Sequence, residues 1–183
     1  FIAGKNAGDV ITSGGNNNTL VGNEAGTSLT TGDNNVAVGF EALATEDADG
    51  NNVAVGYQAL KTLNAGAEGK NTAVGYKAGT AITTGIQNTL TGHSAGMAIT
   101  AGDKNTAIGH DAGNDLTTGT NNTIVGSLAG DALTTGGNNV AIGIEALSGD
   151  TTGSNSTAIG RNALFAQNFT GSENSENTAV GSL

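Results

Sequence analysis

The chain contains no cysteine, which excludes a disulfide framework and any cysteine-based zinc or redox centre. It also lacks proline and tryptophan, and only 3% of its residues are aromatic, so no ordinary globular core can form around large rings. Lysine and arginine total six against 16 acidic residues, and the six are scattered. A net charge of −10 with no basic cluster argues against a nucleic-acid partner. No long apolar run or signal-peptide pattern is present, so no membrane insertion is expected.

What the chain does have is repetition. Residues 71 to 85, NTAVGYKAGTAITTG, set a pattern that recurs from end to end. Numbering each repeat from its Asn, position 1 falls at Asn18, Asn35, Asn52, Asn71, Asn88, Asn105, Asn122, Asn139, Ser156 and Asn177. The successive spacings are 17, 17, 19, 17, 17, 17, 17, 17 and 21 residues. A fixed period of this size signals a solenoid, in which each coil adds a few residues to a shared thin core. The whole of 1–183 reads as a single repeat array. Residues 52–70 and 156–176 are longer than the rest, and the extra residues are expected in rim loops near 61–70 and 165–176. Both ends cut a repeat, so the array is expected to be a fragment of a longer chain.

Within a repeat, positions 2 to 4 are the clearest strand, with Thr or Val at position 2 and mostly Val or Ile at position 4. Gly at position 5 and Ala at position 8 do not vary, which implies a special backbone turn and a closed corner. Positions 9 and 12 exchange bulk: Gly79 accompanies Ile82, whereas Leu147 accompanies Asp150. They therefore face one interior. These features predict an all-β protein, a parallel β-roll or β-solenoid of about 17 residues per coil with two short strands in each. The position-1 residues Asn18, Asn35, Asn52, Asn71, Asn88, Asn105, Asn122 and Asn139 would stack as a turn ladder.

Side chains alternate across a strand, so position 3 opposes positions 2 and 4. Position 3 is Ala37, Ala54, Ala73, Leu90, Ala107, Ile124, Ala141 and Ala158 in successive coils, never polar. A strand apolar on both faces is covered on both. These residues are therefore expected to form an inter-chain face, with small alanines admitting a sister chain in a homo-oligomer.

The segments NVAVG, NTAVG, NTAIG and NVAIG resemble the signature of head repeats in trimeric autotransporter adhesins. The longer forms NNVAVGYQAL and NTAVGYKAGTAITTG resemble more closely the repeat arrays of bacteriophage tail-fibre proteins. The resemblance spans essentially the whole chain. It implies a homotrimer of parallel, left-handed β-rolls in a virion tail fibre or other extracellular fibre, contacting a host cell-surface glycan or protein. The 17-residue period and Thr at position 2 depart from the adhesin signature and favour the tail-fibre branch. A bacterial trimeric surface adhesin head is the first alternative.

Candidate chemistry is sparse. Phe40, Tyr57, Tyr76, His93 and His110 occupy position 6 in five consecutive coils and would stack as a ring column, either stabilising or a receptor or glycan contact. His93 and His110 alone supply too few ligands for a metal, and no third is evident from the sequence. Glu46, Asp47 and Asp49 with Glu68 could surround Ca²⁺, but read better as a solvated acidic corner. No recurring acid pair, Ser-His-Asp set or phosphate loop is present, so no enzyme activity and no cofactor are expected. The Thr pairs, among them Thr83-Thr84 and Thr117-Thr118, suggest a second alternative, an ice-binding β-solenoid using ranks of Thr.

Overall fold

A computed structural model describes residues 4–11, 15–45, 48, 50–66, 69–169, 171 and 174–182. Among these, ten three-residue strands form one sheet: β1 (Thr19–Val21), β2 (Val36–Val38), β3 (Val53–Val55), β4 (Thr72–Val74), β5 (Thr89–Thr91), β6 (Thr106–Ile108), β7 (Thr123–Val125), β8 (Val140–Ile142), β9 (Thr157–Ile159) and β10 (Thr178–Val180). Every strand pairs in parallel with the next, in sequence order. The chain is thus a β-solenoid with about 17 residues per coil, as the period predicts. Pairing is position for position throughout. Val53 meets Thr72 across the 19-residue coil, and Thr157 meets Thr178 across the 21-residue coil. The extra residues of both coils therefore lie outside the ladder.

Among the described residues no coil has more than one strand, against the two expected. The return side, positions 10 to 13, still bonds coil to coil: the Thr100 N–H donates to Thr117 O at 2.9 Å and the Thr117 N–H to Thr134 O at 2.8 Å. It is not extended, because the turn before it is wound by left-handed residues. All 24 non-glycine residues of positive φ among the described residues fall at position 7, at position 9 or at the last position of a repeat, just before the next position 1. The four at position 9 are Leu43, Leu60, Leu147 and Leu164, with φ from 49° to 56°. A left-handed leucine costs about 1 kcal/mol or more over glycine. Burial of the side chain returns ~2 kcal/mol, which explains why the position accepts either Gly or Leu.

The core is a single file of small aliphatic side chains. Position 8 is buried from Ala25 to Ala163, and positions 9 and 12 supply Leu29, Leu43, Leu60, Leu63, Ile82, Ile99, Leu116, Leu133 and Leu147. Position 3 joins them, which overturns the expectation that it faces a second chain. Ala37, Ala54, Ala73, Leu90, Ala107, Ile124, Ala141 and Ala158 are all 0% exposed within one chain. The physical reason is volume. Large residues occur at position 3 only where position 9 is Gly: Leu90 fills the space beside Gly79 and Gly96, and Ile124 that beside Gly113 and Gly130. Every coil with Leu at position 9 has Ala at position 3. Positions 3, 9 and 12 share one interior, and positions 2 and 4 look outward.

The position-1 asparagines are buried too, from Asn35 to Asn139. Each repeats one hydrogen-bonding unit. Asn88 Oδ1 accepts from the Asn105 N–H at 2.9 Å, and Asn88 Nδ2 donates to Gly102 O at 2.8 Å. The first bond joins coils, and the second closes the coil's own corner. Where the coil lengthens, Asn52 Nδ2 is buried with no partner among the described residues. Asn88→Ala strands the Asn105 N–H and the Gly102 carbonyl, and is expected to cost ~2–4 kcal/mol. A denaturant titration of the variant reads this as a lowered midpoint.

Candidate functional site

The β-branched outer face and the turn that follows it carry the exposed chemistry. Gly at position 5 ends each strand and passes the chain to position 6, whose side chains project beside the sheet. Five of these stack in register. Ring centroids are 5.3 Å apart from Phe40 to Tyr57, 5.2 Å from Tyr57 to Tyr76, 4.9 Å from Tyr76 to His93 and 5.0 Å from His93 to His110. Interplanar angles are 10° to 16°. The spacing is that of the coils, so the column is a direct product of the backbone repeat. All five rings are exposed along an edge. Lys77 Nζ lies 5.4 Å from the Tyr76 centroid, within cation–π range. Two coils earlier on the same turn, Lys61 Nζ and Gln58 Nε2 each donate to Glu41 Oε2 at 2.6 Å. The Lys61 bond, then Gln58, holds the Glu41 carboxyl below its usual range. Both ion-pair partners are solvated, so the pair adds little to stability.

Position 7, next to the rings, brings one further acid into play. Asp111 Oδ2 lies 3.2 Å from His110 Nδ1, and its Oδ1 lies 3.8 Å from His93 Nδ1. His93 Nδ1 is also 3.0 Å from Ser94 Oγ. Sequence spacing hides this meeting, because Asp111 is adjacent to one histidine in the chain and one coil away from the other. In the next coil, burial pushes the Asp131 carboxyl up, the Asp131 and Ala132 main-chain N–H groups oppose the rise, and the negative charges of Asp115 and Asp111 add to it.

The inner residues form no site. The position-3 side chains and the Asn ladder are enclosed by their own chain. Glu46, Asp47, Asp49 and Glu68 lie outside the described residues. The rank of Thr at position 13 has its hydroxyls committed. Thr83, Thr100, Thr117 and Thr134 each donate to the main-chain carbonyl one coil on, at 2.8 to 3.3 Å. Asp150 is a fully buried carboxylate, and its role is structural: it accepts from Gln167 Nε2 at 2.6 Å and from the Gly153 and Phe169 N–H groups at 3.0 and 3.1 Å.

The surface the sequence reading missed is the outward one. Positions 2 and 4 of the ten strands are all Thr, Val or Ile, from Thr19 and Val21 to Thr178 and Val180. That makes two unbroken files without a charge or an amide. Val74, Ile108, Ile142 and Ile159 are each more than one-third exposed. No helix among the described residues is long and apolar enough to cross a membrane. Compared with protein-family models, curated proteins and solved structures, the chain has no significant match in any of the three.

Proposed function

We propose that this array is a structural segment of an elongated homotrimeric viral tail fibre that mediates attachment to a host surface. The observation that carries the reading is the outer face of β-branched side chains. It runs the full ten strands, ~45 Å long and ~10 Å wide, on a molecule whose net charge is −10. Charge is kept off the face where repulsion would oppose association. A second copy of the chain is the occupant that fits, because its side chains repeat at the same ~4.8 Å spacing and can interdigitate coil by coil. Stacked coils resist bending, and rods packed side by side resist it further, which suits a fibre shaft. The ring column lies just beyond the face and would remain at the rod surface, available to a glycan or protein of the host cell.

Sedimentation equilibrium of the purified chain tests this. Three chains per particle is the expected result, and a monomer at micromolar concentration would remove the trimer and the shaft with it.

One observation favours a second reading, an ice-binding solenoid, on a different surface from the Thr pairs. Seven of the ten position-2 residues are Thr, and they point outward from the strands in a rank interrupted by Val36, Val53 and Val140. A trimer would bury that rank. Thermal hysteresis from a monomer would therefore support ice binding and sink the fibre, and a trimer without hysteresis would do the reverse.

A further inference from the structure

His93 and His110 are consecutive rungs of the ring column, and their Nδ1 atoms share one carboxylate, that of Asp111. One donor atom from each of the three residues lies within 4.8 Å of the other two. The backbone beneath them is fixed. The Asp111 N–H donates to His93 O at 2.9 Å, and the Leu128 N–H to His110 O at 3.0 Å. Tyr76 backs the His93 ring from the far side.

We propose that His93, His110 and Asp111 form a three-ligand site for a divalent transition-metal ion, with Zn²⁺ as the probe. Two imidazole nitrogens and one carboxylate oxygen suit borderline ions such as Zn²⁺, whereas Ca²⁺ and Mg²⁺ require oxygen donors. An ion with bonds of about 2.1 Å holds donors about 3.4 Å apart, so donors that lie within 4.8 Å of one another must close by up to about 1.4 Å. All three side chains reach the surface, and the tilt must loosen the His93–His110 stack and release His93 Nδ1 from Ser94 Oγ. Three protein ligands leave a fourth position facing solvent, open to water or to a donor on another molecule. The charges of Asp111 and Asp115 both reach Asp131 in the neighbouring coil, so acidic groups cluster on this side of the rod. The site needs only one chain and does not depend on the trimer.

Substitutions that spare the fold can be read from the chain itself. Phe40 occupies the position of the two histidines in an equivalent coil and stacks normally, so His93→Phe and His110→Phe keep the column and remove a ligand. Asn162 occupies the position of Asp111 with φ 59°, so Asp111→Asn keeps the left-handed turn. Isothermal titration of the full chain with Zn²⁺ at pH 7.5 is expected to give one ion per chain. Each variant should weaken binding at least about tenfold while keeping the parent's melting temperature, since each removes one of three ligands. Ca²⁺ should not compete. Absence of saturable Zn²⁺ binding, or affinity unchanged in any of the three variants, overturns the proposal.

Discussion

Ala107→Asp is expected to unfold the central coils rather than to separate an assembly. Ala107 is 0% exposed, paired in register with Leu90 on one side and Ile124 on the other, and faces Gly113 across the interior. No side chain in that set carries a donor for a carboxylate, and the Gly113 N–H is already bonded to Ala129 O. An unpaired charge there costs ~3–5 kcal/mol at neutral pH, and less in acid, where the group enters the core protonated. Asp150 shows what a tolerated buried carboxylate requires, namely three donors supplied by Gly153, Gln167 and Phe169. The companion variant Ile108→Asp differs by one residue and points the other way. It should fold with a near-parental melting curve, and under the proposed trimer it should sediment as a monomer. Circular dichroism and sedimentation on the two variants separate core from interface. If Ala107→Asp melts like the parent, the assignment of the inner face is wrong.

Gly92→Ala is expected to be the most damaging conservative change in the chain. Gly92 has φ +139°, which strains any residue with a Cβ by ~1–3 kcal/mol. A methyl group there would also lie inside contact distance of the Gly109 carbonyl in the next coil. Relieving the overlap means pushing two coils apart, for a further ~1–3 kcal/mol. Gly181→Ala isolates the two effects. Gly181 has φ +140° but nothing within 4 Å of the added methyl, so only the torsional part remains. Thermal melts should rank Gly92→Ala well below Gly181→Ala. Equal midpoints would mean that close stacking of the position-5 backbones does not constrain the fold.

The period, the parallel solenoid and the roles of the Gly, Ala and Asn columns were legible in the sequence because each coil restates the same constraint, whereas the second strand expected in each coil does not form. Gly at position 5 meets both of its anticipated needs, positive φ and close backbone approach. Which face of the strand is inner was read wrongly. Alternation fixes parity but not direction, and Ala at position 3 is as compatible with a close neighbour as with a crowded core. The deciding signal was present in Leu90 and Ile124, which occur only in coils with Gly at position 9. Of the candidate site, the ring column follows from periodicity alone. Asp111 does not, because its relation to His93 depends on how the left-handed turn at position 7 aims the side chain across coils.

Register that survives the two lengthened coils makes this architecture an adjustable gauge. A duplicated 17-residue block, such as 88–104, would meet the same carbonyls and amides above and below as the original does. It would extend the rod by ~4.8 Å while keeping the main-chain ladder in register. Reach can thus be reset by copy number in whole-coil steps, while the sequence within a coil stays free to tune what the surface displays.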